Sequence, residues 1–440
     1  MSSEGLKAIT MRPPAAAATP QAGLGGTVRV LHGIHALSAG VAGKTVGEVR
    51  EALGQALNIS PRAIPLIDGQ EVSEHYMLLP GQHLEFVRRS GEKGARPIFP
   101  FSAILGQEKM KKALVFNAID PSIGGVLIRG QKGTAKSTAV RGIAELLPTR
   151  LVVKGCRFAC HPEQREGLCP ECRTQVERGQ KLQLNETSTP VIDLPLNASE
   201  DRVVGSLDIE AALKTGQKVF EPGILASAHR AILYVDEVNL LDDHIVDLLL
   251  DVAVSGINVV EREGVSYAHP CRFILVGTMN PEEGELRPQL LDRFGLCVEI
   301  ETEQSREHRK EIARRALAFQ SDPGGLRLRW QASQETLRAQ IAGAQEHLPI
   351  LIPSEELMGF AAEVAEEMKV DGHRAEITMV KAALAASAFR GDREPAVDDL
   401  RDVIELSLRH RVKRLPFQEK VLDIKTLDRL ADAFVARRHL

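Results

Sequence analysis

Aromatic residues are scarce in this chain, 4% of positions with a single tryptophan, which argues against a protein that binds nucleic acid by stacking bases on its rings. Neither sign of charge prevails: the formal net charge is −4 over 440 residues, so no strong field recommends DNA, RNA or an anionic membrane as a partner. No apolar run approaches the roughly 20 residues that span a bilayer. Residues 1–26, mostly Ala, Pro, Gly and Ser, lack the apolar core of a secretion signal and read as a disordered leader. The expected compartment is the cytosol. Cysteines are few, six in all, yet four of them fall between Cys156 and Cys172. In a reducing compartment such clustering points to metal rather than to disulfides.

The length, with 43% hydrophobic and 26% charged residues, fits a globular protein of two or three domains. Residues 27–90 carry a strand (Val28 to His32), a helix capped by Thr45 with Val46, Val49, Leu53 and Leu57 at helical spacing, a strand entering a tight turn at Asp68-Gly69, and a closing strand (Leu84 to Val87). That order resembles a small α+β domain of the β-grasp, ubiquitin-like kind, read here as a docking module. The segment does not end in the Gly-Gly of the carrier proteins. Residues 91–100 form a charged linker. From Phe101 to about residue 302, apolar runs at Gly125 to Ile128, Ala231 to Val235 and Phe273 to Val276 alternate with helical patterns, the signature of a parallel sheet in an α/β fold. Residues 303–440 show only leucine and alanine at helical spacing, broken at Pro323-Gly324, Pro349, Pro353 and Pro395, and predict a helical bundle.

Within the α/β region, Gly130-Gln131-Lys132-Gly133-Thr134-Ala135-Lys136-Ser137, followed by Thr138, stands between an apolar strand and a helical segment. Backbone N–H groups of such a loop wrap the phosphates of ATP, and the helix behind it adds the positive end of its dipole. Lys136 is placed to neutralise the β- and γ-phosphates, and the Ser137 hydroxyl to coordinate Mg²⁺. The usual pattern has glycine before the lysine. A methyl group at Ala135 calls for a negative φ there, as expected at a helix entry. The run Ala231 to Val235 leads into Asp236 and Glu237, one suited to Mg²⁺ and the other to activating the attacking water. A third strand ends at Asn280, a candidate for holding that water and equally a turn residue.

Longer stretches carry a specific resemblance. Phe220 to Leu225 (FEPGIL), Ile232 to Leu241 (ILYVDEVNLL), Glu261 to Gly264 and Asn280 to Gly295 (NPEEGELRPQLLDRFG) resemble the ATPase subunit I of magnesium chelatase, an AAA+ family, over about Phe101 to Leu440. The resemblance implies an ATP-hydrolysing ring, in all expectation a hexamer, that drives a partner subunit in inserting a divalent metal into a tetrapyrrole. It implies that Arg293 is the finger reaching the neighbouring subunit's γ-phosphate, with Asp292 positioning it, and that Arg374 is a second sensor borne on the helical lid. Leu196 to Glu221 and the hairpin-like Asn258 to Ala268 match the family's client-facing inserts. The alternative is a MoxR-like remodelling ATPase with a protein client recruited by the N-terminal module.

Cys156, Cys160, Cys169 and Cys172, with the tight pair in Cys169-Pro170-Glu171-Cys172, fit tetrahedral Zn²⁺ or a [4Fe–4S] cluster, with His161 as a possible substitute ligand. Free thiols under redox control are the plain alternative. Cys271 and Cys297 lie in or beside apolar strands and read as core thiols.

Overall fold

A computed structural model describes residues 27–32, 35–53, 59, 63–67, 70–87, 97–208, 219–262, 265–412 and 429. The leader, Leu57, the Asp68-Gly69 turn, the linker up to Arg96, Glu263-Gly264 and nearly all of the lid beyond residue 412 lie outside the described residues. The chain divides into two compact units, Met1–Arg96 and Pro97–Leu440.

The first unit is a mixed sheet of β1 (Val28–His32), β2 (His35–Ala39), β3 (Ile64–Ile67), β4 (Gln70–Glu71) and β5 (His83–Val87), in the order β2-β1-β5-β3-β4. Its two central strands, β1 and β5, are parallel and every other pairing is antiparallel. The helix Val46–Leu53 starts in a reciprocal cap: Glu48 accepts the Thr45 N–H at 2.8 Å, and Thr45 Oγ1 accepts the Glu48 N–H at 3.3 Å. Val28, Val30, Val46, Val49, Leu84 and Phe86 form its core.

In the second unit five strands, β6 (Val126–Gly130), β9 (Val191–Leu194), β12 (Ile232–Val235), β15 (Ile274–Met279) and β16 (Leu296–Ile300), make an all-parallel sheet ordered β16-β6-β15-β12-β9. Strands β6, β12 and β15 are buried along their whole length. Successive residues alternate between two cores, Ile128, Tyr234 and Val276 on one face and Leu127, Val235 and Leu275 on the other, as covering a sheet on both faces requires. The inserted strand β15 carries its C-terminal end between those of β6 and β12, so the phosphate loop, Asn280 and the paired acids meet on one edge.

Three two-stranded ribbons decorate this core: β7 (Arg150–Val153) with β8 (Leu184–Thr187), β10 (Gly205–Asp208) with β11 (Val219–Pro222), and β13 (Ile257–Arg262) with β14 (Val265–Pro270). The last two fall at the stretches 196–221 and 258–268 singled out in the sequence, with residues 209–218 outside the described residues. After β16 the described residues form helices Arg306–Ser321, Pro323–His347, Glu355–Glu367, Arg374–Arg390 and Val397–Leu408. Pro323 opens a helix rather than merely breaking one, and Asp322 caps it by accepting the Gly325 N–H at 2.8 Å. Buried alanines along Arg374–Arg390 let that helix pack closely in the bundle. Among the described residues no helix is long and apolar enough to cross a membrane.

Candidate functional site: a nucleotide cradle and a cysteine cluster

Strand β6 ends at Gly130, where a side chain would come within 2.7 Å of the Ile300 carbonyl of β16; only hydrogen fits the point at which the loop leaves the sheet. Gly133 has φ +83°, and Ala135 has φ +61° and ψ 22° immediately before the helix Lys136–Ala144. The expectation of a negative φ at Ala135 is therefore corrected. Left-handed residues interspersed in the loop turn successive N–H groups toward a common concavity, and that requirement prevails over the roughly 1–2 kcal/mol that an L-residue loses there. The space beside Gly133 is open, with nothing within 4 Å of where a Cβ would stand.

Lys136 Nζ donates to the carbonyls of Gly130 and, at 3.3 Å, Gln131. Burial holds its pKa below the ordinary lysine value, as expected for a cation kept partly out of water to meet an anion. Ser137 is exposed at the mouth. Asp236 Oδ1 accepts two hydroxyls, Thr278 Oγ1 at 2.6 Å and Tyr234 Oη at 2.9 Å, while Thr278 Oγ1 also accepts the Glu237 N–H at 3.2 Å. Glu237 sits at φ 53° and ψ 53°, a left-handed conformation uncommon for a residue other than glycine. Lys132 joins its carboxylate at 3.1 Å to that of Glu283 at 2.7 Å. The bond that Lys132 donates to Glu283, then that to Glu237, pushes the Lys132 pKa up, and Lys132 in turn holds Glu283 below the usual carboxylate range. Asn280 is buried and caps the turn Pro281–Glu283, its Oδ1 accepting the Glu282 N–H at 3.3 Å. Gln131 Nε2 donates to Glu282 at 3.1 Å, tying the phosphate loop to that turn.

Beside the loop lies a cavity of about 340 Å³ walled by Ile104, Leu105, Ile312, Ala316 and Thr138. It has the apolar lining and size of a small-ligand pocket, and sequence reasoning missed its walls apart from Gly133, Thr134, Ala135 and Thr138. Tyr234, Thr278 and Glu283 were likewise missed as supports of the paired acids. The only sequence signal was their place at or just beyond the ends of β12 and β15.

Arg293 pairs with Asp247 at 2.9 Å and with Asp251, one turn apart on the helix Asp243–Ser255. Asp292 does not position it. Asp292 faces the lid instead, accepting Arg374 Nη1 at 2.9 Å and Arg411 Nε at 3.2 Å. It follows the short helix Pro288–Leu291 in helical conformation, where consecutive side chains diverge by about 100°. Arg411 is buried and donates also to the carbonyls of Asp292, Phe294, Gly295 and Ser407, an anchor that sequence reasoning missed.

Two family models match this chain: that of magnesium chelatase, subunit ChlI, over residues 207–289, and that of the AAA lid domain over residues 359–430. The magnesium-chelatase 38 kDa subunit of Acidiphilium rubrum is 50% identical over 337 residues, 77% of this chain and 97% of that protein. The chain belongs to the magnesium-chelatase subunit ChlI family. The magnesium-chelatase subunit ChlI homolog of Methanocaldococcus jannaschii is likewise 50% identical, over 77% of this chain and 92% of its own. Among solved structures, one from a reconstruction of the complex between subunits BchI and BchD of magnesium chelatase is 47% identical and covers 73% of this chain and 98% of that one, with a TM-score of 0.45. The second unit is thus the α/β core and helical lid of an AAA+ ATPase, a chelatase-type motor subunit suited to ATP and Mg²⁺.

Beyond the nucleotide cradle this ChlI-family chain brings Cys156, Cys160, Cys169 and Cys172 together, their sulfurs all within 4.8 Å of one another. His161 is not in the group; its Nδ1 accepts the Glu163 N–H at 3.2 Å. Backbone N–H groups point at three of the sulfurs: Cys169 N to Cys160 Sγ at 3.1 Å, Phe158 N to Cys156 Sγ at 3.4 Å and Cys172 N to Cys169 Sγ at 3.5 Å. Bonds from Cys160 and Cys169 pull the Cys156 thiol down. The same bond pushes Cys160 up to about 12, and burial pushes Cys172 up. Four crowded thiols can all ionise only beside a cation. Cys271 and Cys297 are buried, and burial also raises the Cys271 thiol.

Proposed function

We propose that this chain is the motor of a chelatase: a ring of copies, a hexamer by family resemblance, that spends ATP to drive a partner subunit inserting Mg²⁺ or another divalent metal into a tetrapyrrole in the cytosol. The observation that carries the reading is the 50% identity across 97% of a magnesium-chelatase subunit. The loop Gly130 to Ala135 would hold the phosphates with its N–H groups, Lys136 exchanging its carbonyl partners for phosphate oxygens and Thr138 flanking them. Ser137 and Asp236 would hold Mg²⁺, which when bound neutralises charge on the β- and γ-phosphates. Glu237, released from Lys132, would take the proton of the attacking water that Asn280 orients. Arg293, exchanging Asp247 and Asp251 for the neighbour's γ-phosphate, would act in trans, with Arg374 reporting nucleotide to the lid.

Residues 27–90 are read as a β-grasp docking module, supported by their strand order, with 1–26 as leader, 91–100 as linker, 101–302 as ATPase domain and 303–440 as lid. The four cysteines are read as a metal site, for Zn²⁺ or [4Fe–4S]. The MoxR-like alternative draws support from the N-terminal module and the cysteine cluster, and no nucleic acid or membrane partner is proposed. The test is ATP-dependent metal insertion by the purified chain with its partner subunit. Insertion into a porphyrin or corrin is expected. ATP hydrolysis without insertion into any of them would remove the chelatase role and leave the motor.

A further inference from the structure

We propose that the four cysteines hold a single Zn²⁺ ion, and that this ion is the strut fastening the bases of the β10–β11 and β13–β14 hairpins to the ATPase core. The proposal rests on the metal reading above and narrows it. In a tetrahedral zinc thiolate site with Zn–S of about 2.3 Å, the sulfurs stand roughly 3.8 Å apart. Cys156 and Cys169 sulfurs are 3.8 Å apart and none of the six pairs exceeds 4.8 Å. A four-iron cubane holds its cysteine sulfurs outside the cluster corners, roughly 6 Å apart, and this shell is too small to enclose one. Three of the four cysteines are buried. The inward N–H groups stabilise thiolate sulfur in the way that supporting bonds orient metal ligands elsewhere.

The mechanical role follows from what lies between the ligands. Arg157 and Phe158 stand between Cys156 and Cys160, and Glu171 between Cys169 and Cys172. Glu171 accepts the Tyr267 hydroxyl of β14 at 2.9 and 3.1 Å. Arg157 pairs with Glu171 at 3.3 Å and donates to the Phe220 carbonyl of β11 at 3.3 Å. Phe158 is 1% exposed and stacks in a cluster with Phe220 at 6.2 Å, Tyr267 at 6.3 Å and His269 at 4.7 Å, while Phe220 and Tyr267 lie 4.2 Å apart at 12°. On its other side the cysteine loop is joined to the core: Val153 N donates to Cys160 O at 3.0 Å, and Arg230 Nη1 donates to Ala159 O at 3.2 Å and to Leu151 O at 2.7 Å. Both hairpins therefore pack against a loop of about 17 residues with little regular structure, and such a loop holds one shape only when cross-linked.

Elemental analysis of anaerobically purified full-length protein should find one zinc per chain without acid-labile sulfide. Removing that zinc with a chelator, or making Cys172→Ser, should raise amide-exchange rates in 219–222 and 257–270 at least tenfold, and leave those of 126–130 within twofold. Should Cys172→Ser fail to fold, Tyr267→Phe supplies the check: it keeps every ligand and the zinc, and should speed exchange in 265–270 several-fold. Iron, with or without sulfide, would overturn zinc while sparing the metal reading. A protein without metal would overturn both. Zinc whose removal leaves hairpin exchange unchanged would overturn the strut.

Discussion

Replacing Arg411 with methionine probes how the lid is attached to the segment bearing Arg293. The Arg411 side chain is 1% exposed, and burial pushes its pKa down to about 10, so the ion is retained only because it is fully bonded. It donates to the carbonyls of Asp292, Phe294, Gly295 and Ser407 as well as to the Asp292 carboxylate. Asp292 is 40% exposed and keeps Arg374, so water and that arginine compensate it. Of the four carbonyls only that of Phe294 keeps another donor, His410 Nε2 at 2.9 Å, and each lost bond costs about 1 kcal/mol. Methionine recovers about 1–2 kcal/mol by burying its own apolar surface, leaving a net loss of about 2–3 kcal/mol. In a unit of this size that lowers the melting temperature by about 5 °C. Differential scanning calorimetry measures it, with amide exchange locating the loss at 292–295 and 407–411. A melting point within 1 °C of wild type would refute the reasoning.

Ala135→Gly should relieve left-handed strain of about 1–2 kcal/mol against about 0.4–1 kcal/mol of added chain entropy, raising the melting point by about 1 °C; a fall would contradict the assigned conformation. Mixing Arg293→Ala subunits with wild type should depress ATPase below the weighted mean of the two populations, and strict additivity would exclude a finger acting in trans. His229 is buried, with its pKa held down to about 3 chiefly by burial and then by Arg230. The folded chain therefore stays neutral there while the unfolded chain protonates near pH 6.5. Stability is intact above that value and is lost as pH falls toward 3, by up to about 1.4 kcal/mol per pH unit. In urea titrations between pH 6.5 and 5, His229→Gln should lose about 1–2 kcal/mol less than wild type.

What was legible in the sequence was contiguous. The phosphate loop, the two acids after β12 and the cysteine spacing are short motifs whose chemistry depends on neighbours in the chain. The wide separations were not legible: Arg411 reaches Asp292 across 119 residues, and the cavity beside the loop joins residues 99–107 to 302–316. Asp292 was misread because adjacency to Arg293 was taken for contact, whereas a helical turn sends the two side chains apart. Ala135 was misread because its helix entry was weighed without the concavity that the loop must form. Thr278 and Tyr234 escaped because hydroxyls in apolar strands look like core until the neighbouring strand is known.

The central claim is that Glu237, held beside Asp236 at the edge of β12, activates water for ATP hydrolysis. Glu237→Gln preserves size and removes the base. ATP binding, followed by a fluorescent analogue, should stay within about threefold of wild type while steady-state hydrolysis falls by about 10² or more. Turnover within twofold of wild type would contradict the claim.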